Sequence, residues 1–216
     1  FWWLYRLGQQ AQKDNGYVHT LLGNHEVMIF NGDTRYINPK YKTQENETGI
    51  SYTYLFSNNT ILGQWLRSQP AVIKIGDMLL SHAGISPEVL ALDLSIEEIN
   101  QHVTDRVFYE MSLDNESQAD EVIFGSDGVF WYRGWVEYPP SEDVLNAILE
   151  KYGVNHVVIG HTIVPDIQSA FNQKLIMADV MQPRDVNKAI VRALFVDKKG
   201  FYQINSRGDR KPIESS

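Results

Sequence analysis

Three histidines of this sequence stand within two residues of a glycine, each at the end of a short run of apolar or β-branched residues: His25, His82 and His161. A glycine at such a position lets the backbone approach a ligand or ion closely. Because open α/β sheets bind ligands at strand ends, we expect these three strand ends to converge on one site. Imidazole nitrogens with an amide oxygen, such as that of Asn24, suit Mn, Fe or Zn better than Mg or Ca, which prefer oxygen ligands. The sequence therefore predicts a metal site that includes Asn24.

Several common catalytic motifs are absent. His25 and Glu26 do not begin a zinc-protease motif, because its second histidine would stand at position 29, which is Ile29. There is no G-x-x-x-x-G-K-[ST], G-x-G-x-x-G or G-x-S-x-G, so mononucleotide, dinucleotide and serine-hydrolase interpretations lose their main support. The chain has no cysteine, so any metal must be held by nitrogen and oxygen. The other three histidines, His19, His102 and His156, are interpreted as ordinary polar residues of the fold.

Length, composition and charge bound the class of protein. The 216 residues, 43% hydrophobic and 12% aromatic, are enough for one sizeable core. A net charge of −8 argues against a nucleic-acid partner, because phosphate backbones are bound by clustered Lys and Arg. It allows an anionic substrate, because bound divalent cations are the largest charges in such a site. No apolar run reaches the eighteen or so residues of a membrane span.

Local patterns predict the elements that position these residues. Three predicted strands lead into these residues. Residues 18–22 precede Asn24 and His25, residues 78–81 precede His82, and residues 156–159 precede His161. Further predictions are helices over 1–11, 26–30, 50–56, 61–67, 95–111 and 141–152, strands over 71–75, 174–180, 190–196 and 201–204, and polar loops over 31–47 and 114–121. Asp179 is interpreted as a turn residue that could approach the site.

At three points the sequence resembles the calcineurin-like metallophosphoesterases. The matching segments, in the family's order, are Gly23–Glu26 (GNHE), Ser81–Pro87 (SHAGISP) and Gly160–Thr162 (GHT). The resemblance covers most of the chain and is closest to bacterial Shewanella-like phosphoprotein phosphatases. It implies an α/β fold, a two-sheet β-sandwich flanked by helices, with the site at the strand ends.

The resemblance also implies a role for each matching residue. Asn24, His82 and His161 would bind one metal of a dinuclear pair, and His25 would be the general acid that protonates the leaving oxygen. Arg133 would bind the phosphate oxygens, because a planar guanidinium does this better than Lys. Two divalent ions, Mn, Fe or Zn, would activate a bridging hydroxide. A structural cation–π role among the neighbouring aromatic residues stays open for Arg133.

The sequence departs from this family at its beginning. The family's first motif is Asp-x-His and its second ends in Asp-Arg-Gly, and together they supply the other metal's ligands and the bridging carboxylate. Neither is present, and no Asp precedes Asp14. The chain also begins at Phe1 without an initiator Met. We therefore expect an N-terminally truncated domain that forms at most one metal site and is inactive alone. The sequence leaves the localisation open.

The domain and function expected from the sequence follow. Residues 1–206 would be the metallophosphoesterase domain, with 31–70 an insertion near the site and 207–216 a flexible tail. The parent protein would hydrolyse phosphomonoesters, as a phosphoprotein serine/threonine or tyrosine phosphatase, with no nucleic-acid partner and no membrane span. The alternatives are a phosphodiesterase or nucleotide hydrolase on the same fold, and a binding module that has lost its metal. Substrate specificity would depend on the two polar loops and the aromatic residues around Trp131.

Overall fold

The computed structural model describes residues 1–109, 117–182 and 190–215. The α-helices within these ranges are α1 (Trp2–Lys13), α2 (Asn24–Phe30), α3 (Pro39–Thr48), α4 (Ile61–Arg67), α5 (Pro87–Ala91), α6 (Ile96–Val107), α7 (Gln118–Phe124), α8 (Gly134–Glu137) and α9 (Glu142–Tyr152), with a 3₁₀ helix at Thr53–Phe56. The strands are β1 (Val72–Ile75), β2 (Met78–Ser81), β3 (His156–Ile159), β4 (Gln168–Ala170), β5 (Leu175–Met177), β6 (Arg192–Asp197), β7 (Gly200–Asn205) and β8 (Arg210–Pro212).

The larger sheet has the strand order β1-β2-β3-β5-β4. Strands β2, β3 and β5 are parallel, and β1 and β4 are antiparallel edge strands. The register pairs Ser81 of β2 with Ile159 of β3, so both strands end at the same edge of the sheet. There the backbone N–H of Gly160 donates to the carbonyl oxygen of His82 at 2.8 Å. The segments that follow β2 and β3 are therefore held side by side.

The hydrophobic core covers the central strands of this sheet. Every residue of β5 and the last three residues of β3 are buried, as expected for parallel strands covered on both faces. Helix α9 presents Leu145, Ile148 and Leu149 to the core, at the three- and four-residue spacing of one helix face. The sheet edge that carries His82 and Gly160 is thus fixed to a packed scaffold.

The smaller sheet is antiparallel with the order β6-β7-β8. It joins the same core through Phe201 and Ile213, which are 7% and 6% exposed. The side chain of Ser169 in β4 donates to the carbonyl oxygen of Glu214 at 2.6 Å and so links the two sheets. The predicted α/β fold with two sheets and flanking helices is confirmed.

One predicted strand is wrong. Residues 18–22 belong to no strand, although the N–H of Leu22 donates to the carbonyl oxygen of Pro70 at 2.9 Å. Leu22 is fully buried, but Val18 is 38% exposed. The apolar run therefore continues as extended chain up to α2, and Asn24 and His25 begin a helix instead of following a strand.

Both predicted polar loops contain helices. Helix α3 begins at Pro39 inside the predicted loop 31–47 and ends one residue beyond it, at Thr48. Asn38 caps this helix, because its side chain accepts a hydrogen bond from the Lys40 N–H. Helix α7 occupies Gln118–Phe124, whereas residues 114–116 lie outside the described ranges. Helix α6 ends at Val107, and Met111, its predicted end, also lies outside those ranges. Both segments were predicted to be loops because of their polar composition, which does not exclude a helix.

The predicted flexible tail over 207–216 is wrong for its central residues. Arg210–Pro212 pairs with β7 as β8, and Ile213 enters the core. The Ile213 N–H donates to the carbonyl oxygen of Phe201 at 3.0 Å. A single buried isoleucine in a polar segment was too weak a signal to predict this strand.

Candidate metal and phosphate site

Three polar atoms meet where α2 begins and β2 and β3 end. Nε2 of His82 lies 2.8 Å from Oδ1 of Asn24 and 3.0 Å from Nδ1 of His161. Asn24 and His161 are buried, and His82 is half-buried. The structure therefore brings the three residues predicted to bind one metal into direct contact.

The backbone at His161 is in an unusual conformation. Its φ of 62° is left-handed, which costs a residue other than glycine on the order of 1 kcal/mol. Such strain persists where the surroundings fix the backbone, and it clusters at functional sites. Here the Thr162 N–H donates to the Gly160 carbonyl at 2.7 Å, and Gly160 is itself bonded to His82. The turn after β3 thereby directs His161 toward His82.

Gly23 provides the space in which the His82 ring lies. A Cβ at this position would be 2.9 Å from Nδ1 of His82 and 3.0 Å from Oε2 of Glu26. The Gly23 N–H donates to that same Oε2 at 2.9 Å, which caps α2. The Glu26 carboxylate thus orients the helix that carries Asn24, and burial raises the pKa of this carboxyl.

Both contacting histidines are kept neutral by their surroundings. Burial lowers the pKa of His82 to about 4, and the nearby His161 acts in the same direction. Burial and then the positive charge of Arg133 lower the pKa of His161 to about 4. Neutral imidazoles keep a lone pair for a metal ion at neutral pH, because only the unprotonated nitrogen can be a ligand.

The three side chains fit a single transition-metal or zinc ion. Nitrogen and oxygen ligands lie about 2.0 to 2.2 Å from such an ion, so neighbouring donors are roughly 3 Å apart. The separations of 2.8 and 3.0 Å agree with this. Within the described ranges, no group of three or more His, Cys, Asp or Glu side chains could hold an ion. A set of three donors here therefore has to include the amide oxygen of Asn24 beside the two imidazoles.

Arg133 lies at the rim of this site. Its NH1 group donates to the carbonyl oxygen of His161 and to the hydroxyl of Thr162, each at 3.3 Å. The side chain is exposed. The alternative left open for Arg133 was a cation–π role, but none of the cation–π pairs among the described residues includes it. The guanidinium therefore has free hydrogen-bonding capacity directed at solvent beside the three contacting atoms.

His25 lies next to Asn24 at the opening of the site. Its imidazole is exposed and stacks on the ring of Tyr36, with the centroids 5.3 Å apart and an angle of 9° between the planes. Tyr36 belongs to the segment 31–70 that the sequence predicts to lie near the site. The particular contact was missed, because nothing in the sequence pairs Tyr36 with His25.

One cavity of about 680 Å³ connects all these residues. Its lining includes the three contacting residues, His25 and Arg133, and adds Thr162, Ile163 and Asp179. Asp179 therefore does face the site, and burial raises the pKa of its carboxyl. The cavity has the size of a small-molecule site, which typically measures about 300 to 1,000 Å³.

A second cavity of about 730 Å³ adjoins the first at Arg133 and is lined in part by aromatic residues. Its aromatic lining residues are Phe124, Trp131, Tyr132 and Tyr138. The Trp131 ring also contacts the ring of His161 edge to face, with centroids 5.9 Å apart. The aromatic segment predicted to affect specificity therefore lies directly beside the candidate metal site.

The fold is that of a metallophosphoesterase. Residues 3–165 match the calcineurin-like phosphoesterase family. The chain therefore belongs to this family, whose members generally use divalent metal ions. Within the described residues, no helix combines the length and apolar character required for a membrane span.

Individual relatives agree with this membership. The chain is 31% identical over 180 residues to an uncharacterized protein of Schizosaccharomyces pombe and 28% identical over 180 residues to Shewanella-like protein phosphatase 1 of Plasmodium berghei. These alignments cover 75% and 76% of the chain, and 50% and 47% of the relatives. A crystal structure of a cold-active protein-tyrosine phosphatase from a psychrophilic Shewanella species superposes with a TM-score of 0.87 at 33% identity. The superposition covers 99% of the present chain and 63% of the chain in the crystal structure. The chain thus spans about half the length of the curated relatives.

Proposed function

We propose that the protein to which this chain belongs is a metal-dependent phosphatase that hydrolyses phosphomonoesters on phosphoproteins. The observation that carries the proposal is the meeting of Asn24, His82 and His161 in one cavity with His25 and Arg133. Family membership supports phosphoester hydrolysis, and the phosphatase relatives support a phosphoprotein substrate.

In this proposal each residue has a defined task. Asn24, His82 and His161 would hold one Mn, Fe or Zn ion. When bound, divalent ions supply Lewis-acid activation of the attacking water and neutralise the charge that develops on phosphate. Arg133 binds the phosphate oxygens through its planar guanidinium.

His25 completes the reaction as the general acid. As water's oxygen forms a bond to phosphorus, the bond from phosphorus to the leaving oxygen breaks. That oxygen takes a proton from the imidazolium of His25, and the products are inorganic phosphate and an alcohol or phenol. The exposed position of His25 at the cavity opening supports this role, because the leaving group must extend toward solvent when it belongs to a protein.

The full-length protein tests the proposal with two substrates. With Mn²⁺ present, we expect hydrolysis of para-nitrophenyl phosphate and little hydrolysis of its bis ester. His82→Ala should lower both metal content and activity by more than the about 10- to 100-fold that loss of a ligand-orienting group typically costs. His19→Ala is the matched control, because His19 is exposed and contacts Tyr17 away from the site.

Two results would contradict the proposal. Preferred hydrolysis of the bis ester would indicate a phosphodiesterase on the same fold. A metal-free wild-type protein whose melting temperature does not respond to Mn²⁺ would indicate a binding module, because a ligand that binds the native state must raise its stability.

A further inference from the structure

The stacked pair of His25 and Tyr36 is the structural feature that the proposed function leaves unexplained. The two rings are nearly parallel, with centroids 5.3 Å apart and 9° between the planes. Tyr36 is 65% exposed, so its ring is not placed there by burial in the core. His25 and Glu26 line both the site cavity and a smaller cavity of about 200 Å³, which Tyr36 also lines.

The imidazole of His25 has few contacts among the described residues. Among the residues that the structure describes, none forms a hydrogen bond with this ring, and its single ring contact is with Tyr36. An exposed histidine on the first turn of a helix can otherwise rotate between staggered side-chain conformations. A general acid must keep its nitrogen within hydrogen-bond distance of the leaving oxygen, so free rotation would lower its efficiency.

Tyr36 is itself held in a well-defined turn. The neighbouring Arg35 forms an ion pair with Asp33 at 2.6 Å, and its backbone N–H also donates to the Asp33 carboxylate at 3.1 Å. The Ile37 N–H donates to the carbonyl oxygen of Thr34 at 3.2 Å. The Arg35 guanidinium lies 6.0 Å from the centroid of the Tyr36 ring. The turn therefore presents the tyrosine ring to His25.

We propose that Tyr36 is a positioning residue, whose ring holds the imidazole of His25 in the orientation required for proton transfer to the leaving oxygen. This inference rests on the proposed function. In the reaction the proton passes from His25 to the leaving oxygen as its bond to phosphorus breaks, and Tyr36 exchanges no proton. The hydroxyl of Tyr36 is therefore dispensable, and its aromatic face is required.

The dependence of rate on the leaving group tests this role in the full-length protein. Phenolate needs protonation more than para-nitrophenolate does, because the pKa of its conjugate acid is near the value of about 10 of a tyrosine. We expect Tyr36→Leu to lower kcat for phenyl phosphate at least about tenfold, within the roughly 10²- to 10⁴-fold that general acids contribute. The loss for para-nitrophenyl phosphate should be several-fold smaller. Tyr36→Phe should restore the wild-type profile.

Tyr17 provides a matched control, because it forms the chain's other stacked tyrosine–histidine pair among the described residues. Its ring lies 5.8 Å from that of His19 at an angle of 21°, and the side chain is 74% exposed. Tyr17→Leu should leave both rates unchanged. Adding Tyr36→Leu to His25→Ala should have almost no further effect, because coupled residues are not additive.

The outcomes separate this inference from the proposed function. Equal losses for both substrates, wild-type rates in Tyr36→Leu, or a full further loss in the His25→Ala background would overturn the positioning role alone. An inactive wild-type protein would overturn the proposed function and this inference with it. Unchanged melting temperatures of the Tyr36 variants will show that any loss is not due to unfolding.

Discussion

Gly23 shows how one residue decides whether the candidate site can form. Its missing side chain leaves space for the ring of His82, whose Nδ1 would lie 2.9 Å from a Cβ at this position. That distance is too short for a carbon–nitrogen contact, because non-bonded atoms of this kind prefer about 3.5 Å or more. The His82 ring would have to move, and Nε2 on its far side would move away from Asn24 and His161.

We therefore predict that Gly23→Ala weakens metal binding more than it weakens the fold. The His82 ring is the group displaced, and it is half-buried, so the stability loss should stay at about 1 to 3 kcal/mol, typical of overpacking. Metal affinity should fall at least about tenfold, because ligand orientation alone is worth that much. Metal content and urea unfolding of the full-length protein measure the two effects.

Gly8→Ala is the control for this substitution. No atom lies within 4 Å of a Cβ at Gly8, and this position is inside α1, where Ala is favoured over Gly by about 1 kcal/mol. It should stabilise the protein slightly and leave metal binding unchanged. Wild-type metal affinity in Gly23→Ala would show that the His82 ring tolerates the extra methyl group.

The residues of the candidate site could be predicted from the sequence better than their contacts. Asn24, His82 and His161 each stand within two residues of a glycine in a short recognisable segment, and the structure brings them together. Tyr36 has no such signal. Its contact with His25 depends on the path of a turn-rich segment, and that path is set by hydrogen bonds of Asp33 and Thr34 that no residue pattern specifies.

Among the elements, α7 illustrates how a polar segment becomes ordered. Ser117 accepts a hydrogen bond from the Asp120 N–H at 3.2 Å, and the Asp120 carboxylate accepts one from the Ser117 N–H at 2.9 Å. The other carboxylate oxygen lies 2.8 Å from Nδ1 of His102 on α6. Asp120 therefore caps its own helix and joins it to a neighbour.

We predict that Asp120→Ala destabilises the protein by about 1 to 2 kcal/mol, the usual cost of a lost helix cap. Burial raises the pKa of the Asp120 carboxyl, but hydrogen bonds from Ser117 and His102 outweigh it, so the pKa lies below its usual value. The native state thus favours the ionised form. The stabilisation is present above the unfolded-state pKa of about 4 and disappears as the pH falls through the lower native value.

Denaturant unfolding of wild type and variant across that pH range tests this prediction. The difference in stability should be full at pH 6 and shrink toward pH 3. Glu121→Ala is the control, because Glu121 is exposed in the same first turn, and it should change stability by less than about 0.5 kcal/mol. A difference that does not depend on pH would exclude an ionised Asp120 as the source.

The predicted elements failed where a pattern has two physical solutions. An apolar run such as residues 18–22 can be a strand or extended chain, and the choice depends on whether a neighbouring strand is available for pairing. Helix α3 buries no side chain, so it lacks the apolar face by which helices are recognised. Its real signal was the Asn38–Pro39 start, which is equally typical of a turn. Helix α9 and the β1–β2 hairpin, with clear apolar faces and turn residues, were predicted correctly.

For the whole molecule, the residues that follow β8 connect its two sheets. Ile213 bonds through its N–H to Phe201 of β7, and its carbonyl oxygen accepts from the Gln173 side chain at 2.7 Å, next to β5. The adjacent Glu214 carbonyl accepts from Ser169 of β4. The segment thus bonds to the smaller sheet on one side and to the edge of the larger sheet on the other.

This arrangement predicts that Ile213 stabilises the whole domain although it lies close to the end of the chain. Ile213→Ala should lower the free energy of unfolding by about 2 to 4 kcal/mol, because truncating a buried isoleucine loses its transfer energy and leaves a cavity. Ile61→Ala makes the same change at a side chain that is 66% exposed and should cost less than about 0.5 kcal/mol. Urea unfolding followed by both tryptophan fluorescence and far-UV circular dichroism tests the point. Coincident transitions shifted to lower urea would show that the sheets unfold as one unit, because the lost contact then destabilises both. An unshifted transition in Ile213→Ala would instead support the interpretation of residues 207–216 as a flexible tail, which their composition suggests.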